Sequence, residues 1–442
     1  MSIIKSKIWL TVLLMAASFP LMFGCARTEN TASSALPSTN SRVDPVLATG
    51  LRLIADRALQ PETIPDLSFL GLQSLVRLDK DLALTRTPEQ DLQLAYQHHL
   101  IGRYNPAPPG DAERWADLVV TIARDAWKVS STLKATNNEA FYQMFFESVL
   151  KGVDPHSHYF AAHQSTPGLA LDHQGNAEIE IIIPPDQNLA GSLPEQLPLE
   201  SQITEGILVA TIHRFTDKTS VELSKLLGNA KVNPDFKGVI LDLRGNPGGS
   251  LLQAVAVADL FMAEGPILSV IGRTTGTSRQ FNAKAGEIGE AMPVVVVLDG
   301  GSASAAEIVA AALQDSRRGV VVGTNSYGKG TVQSRIRLPN DAILSITMAN
   351  FASPSGTLLN GLGVIPNLCL NAGEAKRVTE SGTIYPSDQE GRKRLRALCP
   401  ASARGGIARD IEISRQLILD PGLFAQALGH TWLLAGGLEP LR

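Results

Sequence analysis

Only 3 of the 442 residues are cysteine, so the chain is no small module knit together by disulfides. Positive charge is not in surplus either. With 39 Lys and Arg against 43 Asp and Glu, the formal net charge of −4 leaves no electrostatic footprint for sequence-independent nucleic-acid binding. No apolar run reaches the roughly 20 residues of a membrane-spanning helix. The nearest approach, from Ile8 to Gly24, has 17 residues. No internal repeat is visible. With 44% hydrophobic and 19% charged residues, the chain is neither disordered nor fibrous and can bury a proper core. At roughly 150 residues per domain, its length suits two or three globular units.

Lys5 and Lys7 precede the Ile8–Gly24 stretch, which ends in small and apolar residues beside Cys25. That order reads as an export signal over residues 1–25, with a mature chain in the periplasm or cell envelope. Gly24-Cys25 also resembles a lipoprotein signal, in which the acylated cysteine anchors the protein to a membrane. Bulky Met22 and Phe23 depart from that pattern, and ordinary cleavage beside an incidental cysteine is the alternative. Cys369 and Cys399 then remain as an even pair in an oxidising compartment, and a disulfide between them is expected. It would close about 30 residues and contribute about 3–4 kcal/mol on a chain-entropy model. Two buried free thiols are the alternative.

Residues 26–44 are mostly Ser, Thr, Asn, Pro and charged types, and read as a flexible tether. Residues 45–160 read as helical, because Trp115, Leu118, Val119, Ile122 and Ala126 share one helical face, as do Phe141, Met144, Phe145 and Val149. These stripes are core candidates. Residues 161–200 form a weakly patterned linker with one strand near Ala177–Ile183. Strands then alternate with helices over 201–371, which predicts an α/β domain. The strands are expected at Ile207–His213, Gly238–Leu243, Ile267–Ile271, Val294–Leu298 and Val320–Gly323, with a hairpin at Thr331–Leu338 and Ala342–Asn350. Helices are expected around Ser220–Leu227, Ser250–Ala263 and Ala305–Asp315. The extension 372–442 reads as helical, with one or two helices over Asp410–Leu428.

Three segments can carry chemistry. Gly300-Gly301-Ser302-Ala303-Ser304-Ala305-Ala306-Glu307 joins an apolar strand to a helix, where backbone N–H groups can stabilise an oxyanion beside a serine. Ser304 with Glu307 three residues on is equally an ordinary capping box, and the Gly-x-Ser-x-Gly elbow is absent. Gly323 to Thr331 nearly spells a phosphate-binding P-loop, but Gly330 separates Lys329 from Thr331 and a strand follows instead of a helix. A desolvated Lys329 can serve instead as a base. Asp242-Leu243-Arg244-Gly245-Asn246-Pro247-Gly248-Gly249 ends a strand in a turn that exposes N–H groups. His156, His158 and His163 cluster near Asp154 but lack a familiar zinc-site spacing, so no metal and no cofactor is expected.

Together these segments resemble the carboxy-terminal processing, or tail-specific, proteases, exported serine peptidases that use Ser and Lys. The resemblance rests on Val153–Tyr159 (VDPHSHY), Gly238–Gly249 (GVILDLRGNPGG), Ser302–Asp315 (SASAAEIVAAALQD), Tyr327–Gln333 (YGKGTVQ) and Gly361–Asn367 (GLGVIPN), all in order. It implies a crotonase-like ββα superhelix with helical flanks. It further implies Ser304 as nucleophile, Lys329 as general base, Gln333 orienting the lysine amine, and an oxyanion hole from the N–H of Ala305 and of Gly249. Residues four apart on an extended strand lie roughly 13 Å apart, so a contact between Lys329 and Gln333 requires a bend, which Gly330 eases.

One departure stands out. Members of that family carry a PDZ domain of about 80–90 residues before the catalytic strands, and only 46 residues lie between Tyr159 and Gly206. The module reads as deleted or reduced to a remnant. The expected partners are protein or peptide substrates, a membrane through the Cys25 lipid, and an adaptor or further copies of the chain. The alternative reading is a non-catalytic binding or scaffold protein on the same fold. A nucleotide hydrolase is the third.

Overall fold

The computed structural model describes residues 43–162, 197–284, 292–370, 389–403, 408–429 and 433–434. The expected export signal with Cys25, most of the expected tether, His163 and the strand expected near Ala177–Ile183 lie outside the described residues.

Asp44 caps the first helix, its Oδ1 accepting from the N–H of Val46 and Leu47 at 3.0 Å each. Helices α1 (Pro45–Arg57) and α2 (Ile64–Leu78) follow, each with proline in its first turn, where a missing N–H costs nothing. Next comes an antiparallel sheet of β1 (Leu82–Arg86), β2 (Leu92–Tyr96) and β3 (His99–Tyr104). The helical reading of this stretch did not include it. Leu82, Leu84, Leu92 and Leu94 are buried at a spacing of two, on strands too short to stand out among helices. Helices α3 (Ala112–Val129), α4 (Ser131–Lys134) and α5 (Asn138–Val153) complete the region, and Trp115, Phe141, Phe145 and Phe146 fill its core.

Strand β4 (His158–Phe160) leaves this region for the rest of the molecule. Beyond it lie β5 (Leu199–Thr204), β6 (Ile207–Ile212), α6 (Thr219–Lys231), β7 (Gly238–Asp242), α7 (Leu251–Asp259), β8 (Pro266–Gly272), β9 (Arg279–Asn282), β10 (Val294–Leu298), α8 (Ala305–Asp315), β11 (Val320–Gly323), β12 (Thr331–Arg337), β13 (Ile343–Ala352) and β14 (Leu368–Cys369). Helices α9 (Gln389–Leu398), α10 (Ala408–Leu419) and α11 (Pro421–Gly429) and strand β15 (Leu433–Leu434) close the chain. The fold is mixed α/β, with helices and several sheets.

The main sheet runs β15-β14-β11-β10-β7-β6-β5, all neighbours parallel except β5 and β6. Every residue of β10 is buried, as a parallel strand covered on both faces requires. Val294, Val296 and Leu298 face the core shared with α7 and α8, whereas Val295 and Val297 face Ile413, Leu417 and Ile418 of α10. The C-terminal helices α10 and α11 are therefore the second covering layer of the sheet. A second sheet, β12-β13-β8-β9, also pairs β13 with β4, and Leu338, Leu344 and Ile346 of its hairpin share the core of the N-terminal helices. Cys369 and Cys399 are joined by a disulfide with Cα atoms 6.0 Å apart.

Candidate active site

The loops leaving the carboxyl ends of β7, β10 and β11 meet at one edge of the main sheet, where ligands bind in open α/β sheets. Asp299, directly after β10, ties the first two together by accepting from the N–H of Gly245 at 2.8 Å and of Gly301 at 2.9 Å. Ser302 Oγ donates to the Leu243 carbonyl at 2.8 Å, and the Ala303 N–H to that of Asn246 at 2.9 Å. Buried Arg244 pairs with Asp242 at 2.6 Å and with Asp410 of α10 at 3.4 Å, fixing the turn to the helix behind it.

Ser304 stands immediately before α8 with φ 55° and ψ −112°, a region that side chains other than glycine rarely enter. The outlier marks strain held by the surrounding bonds. Its side chain is fully buried, and its hydroxyl faces the Glu307 N–H in a capping box without making a hydrogen bond of full geometry. The Ser304 N–H, by contrast, donates to Glu307 Oε2 at 2.7 Å.

Glu307 is the hub of the site. The same Oε2 accepts the N–H of Lys329 at 2.9 Å, while Oε1 accepts the N–H of Gly328 at 2.6 Å and the hydroxyl of Ser326 at 2.5 Å. The backbone nitrogens of Ser304 and Lys329 are thus separated by no more than two hydrogen-bond lengths across one oxygen. Burial pushes the Glu307 carboxyl above its usual range, against the pull of its four donors. The N–H groups of Gly328 and Lys329 therefore cradle a carboxylate of the protein itself, and β12 follows where a P-loop needs a helix.

Lys329 is 4% exposed, and burial brings its amine down to about 8, opposed by Glu307 and aided by Arg335. His156 and His158 lie close enough for its charge to lower them further, although burial is the larger cause for both. Gln333, four positions after Lys329, follows an irregularity in the register of β12 between Val332 and Gln333, a local bend of the strand. Its Nε2 donates to Thr331 Oγ1 at 2.8 Å and to Thr347 Oγ1 at 3.3 Å, and its buried Oε1 has no partner. The Thr347 hydroxyl in turn donates to Asp154 Oδ1 at 2.8 Å, and its N–H donates to Ser157 Oγ at 2.9 Å. Asp154 also holds the His156 N–H at 2.7 Å and the Ser157 hydroxyl. The Asp154–Ser157 motif thus steadies Gln333 from a remote part of the chain.

In the turn after β7, Gly248 presses on the serine: an added Cβ would sit 2.9 Å from Ser304 Cβ. The Gly248 N–H is engaged by Asn246 Oδ1 at 2.7 Å. Those of Gly249 and of Ala305, the first helical residue, have no acceptor among the described residues. Ser304, Ala305, the Gly248–Gly249 turn and the Lys329 backbone are therefore held beside one another, while the hydrogen bonds of Gln333 run to Thr331 and Thr347. In this conformation neither Ser304 Oγ nor Gln333 Oε1 is hydrogen-bonded to the lysine amine, as is common before substrate binds. Sequence reasoning read Glu307 only as a helix cap and passed over Asp299 and Thr347. The acidic residue ending a fully apolar strand was the available signal for Asp299. Among the described residues no cluster of His, Cys, Asp and Glu could hold a metal ion. No described helix is long and apolar enough to cross a membrane.

Residues 206–370 match the model of peptidase family S41. The chain is 44% identical over 158 residues to the carboxy-terminal-processing protease of Bartonella bacilliformis, covering 35% of this chain and 36% of that protein. It is 40% identical over 130 residues to the carboxyl-terminal-processing protease of Synechocystis sp., covering 29% and 30%. The matched region thus spans about a third of those relatives' length. The solved photosystem II D1 C-terminal processing protease aligns at 18% identity with a TM-score of 0.42, over 74% of this chain and 96% of that one. Residues 206–370 thus carry a peptidase family S41 domain, similar in sequence to the carboxy-terminal processing proteases.

Proposed function

We propose that the chain is a serine endopeptidase that hydrolyses peptide bonds in exported proteins, with Ser304 as nucleophile and Lys329 as general base. The observation that carries this reading is the Glu307 carboxylate, one oxygen of which holds both the serine and the lysine backbone. Neutral Lys329 Nζ takes the Ser304 proton, and Oγ bonds to the substrate carbonyl carbon. The oxyanion so formed is received by the N–H groups of Ala305 and Gly249. Lys329 returns the proton to the departing amine as the C–N bond breaks, and water then hydrolyses the acyl-enzyme by the same route. Gln333 Oε1, buried and without a partner, is the acceptor that turns toward the amine when substrate orders the site.

In this reading the chain acts in the periplasm or cell envelope, held to a membrane by a lipid on Cys25. The short interval before β6 makes the cleft, the helical region and an adaptor or second copy the source of substrate choice. The test is incubation of the full chain and of Ser304→Ala with casein. Cleavage by the wild type alone is expected. Cleavage by both preparations points to a contaminant, and cleavage by neither supports the binding or scaffold reading.

A further inference from the structure

The segment around α9 touches both the lysine loop and the serine loop. Arg396, half buried on the last turn of α9, donates through Nη1 to the Leu362 carbonyl and through Nη2 to the Tyr327 carbonyl at 3.2 Å. An added Cβ on Gly328 would come within 3.0 Å of Nη1, so the guanidinium lies against the peptide that leads into Lys329. Three positions on, Cys399 is bonded to Cys369 of β14, which pairs with Gly323 where the lysine loop begins. The Ser402 carbonyl then accepts from Thr324 Oγ1 at 3.0 Å and from the N–H of Gly300, on the serine loop, at 2.9 Å. Arg396, Cys399 and Ser402 thus brace the start and end of the lysine loop and the entry to the serine loop.

We infer that Arg396, mounted on α9 and pinned by the Cys369–Cys399 bridge, is a positioning residue that fixes the Tyr327–Lys329 turn and so the place of the lysine amine. A planar guanidinium reaches two carbonyls at once, whereas an ammonium at the same place is a single point of contact. The other charged or titratable groups facing Lys329 are Glu307 of α8, Arg335 of β12, and His156 and His158 around the start of β4; Arg396 itself faces Glu307. Loosening the turn admits water to the amine and raises its proton affinity. The catalytic readouts of this inference rest on the peptidase reading above, but the titration of Lys329 does not.

The experiment uses the full chain with 13C at the lysine ε-carbons, the Lys329 signal being assigned from Lys329→Arg. Lys329 titration by NMR and casein-peptide hydrolysis are measured for wild type, Arg396→Ala, Arg396→Lys and Cys369→Ser/Cys399→Ser. In Arg396→Ala a Lys329 midpoint about one unit higher is expected, with kcat lower by about 100-fold and KM unchanged. Arg396→Lys should fall between, and it carries the test if the alanine variant fails to fold. The double serine variant should reproduce Arg396→Ala, and combining the two should add nothing. A wild-type chain inert on peptides whose Lys329 midpoint still moves in Arg396→Ala removes the peptidase reading and supports this inference. Unchanged midpoint and unchanged kcat in Arg396→Ala overturn it.

Discussion

Removing the nucleophile should make the protein more stable. The Ser304 hydroxyl is fully buried and makes no hydrogen bond of full geometry, only a loose approach to the Glu307 N–H, a state that costs about 1–3 kcal/mol of desolvation. Alanine removes that cost, and the void left by one oxygen returns only about a few tenths of a kcal/mol. Ser304→Ala should therefore gain about 1–2 kcal/mol while abolishing turnover. For a domain of this size, each kcal/mol raises Tm by about 2–4 °C. Glycine removes a second cost, because the backbone at φ 55° and ψ −112° is strained for any side chain. That relief, about 1–3 kcal/mol, outweighs the roughly 0.5–1 kcal/mol of extra chain entropy that glycine loses on folding. The order of stability should be Ser304→Gly, then Ser304→Ala, then wild type, read from urea unfolding followed by circular dichroism. A Ser304→Ala protein less stable than wild type would refute the reasoning, since the hydroxyl must then find a bond in the folded state.

With the lysine amine at about 8, casein cleavage should fall about tenfold per pH unit well below that value, and a flat pH–rate profile would exclude Lys329 as the base. Stability carries the opposite face of the same shift. Between pH 8 and 10.5 the unfolded lysine holds a proton that the folded one has lost, so folding should strengthen with pH in that window. The slope should vanish in Lys329→Met. Gly248→Ala places a Cβ 2.9 Å from Ser304 Cβ at a φ of +109°, and kcat should drop by about 100-fold as the serine is displaced, with unchanged casein turnover counting against the packing. Glu307→Gln puts an amide NH2 among four donors, and should cost about 2–5 kcal/mol in urea unfolding together with activity.

The strands and helices of the α/β region were legible because their signals are local. The run Val294–Leu298 reads as a buried strand with no knowledge of its neighbours, and the structure assigns it the same bounds. The sheet of β1 to β3 was not legible, since each strand has only five or six residues between stronger helical patterns. Ser304 and Lys329 are named through resemblance, the local hints being a serine where an apolar strand enters a helix and a lysine between two glycines. The choice of Gly249 over Gly248 as a donor gains physical support only from Asn246, whose side chain engages the other amide.

From the sequence by itself came the alternation of elements, the buried stripes and the residue types capable of acyl transfer, because periodicity and turn chemistry depend on near neighbours. Only the tertiary structure decided that Glu307 joins residues 304 and 329, that Asp154 steadies Gln333 through Thr347, and that the C-terminal helices cover one face of the main sheet. Each of these is a bond or packing contact between distant parts of the chain. Such contacts depend on the order of strands in the sheets, which no local pattern encodes.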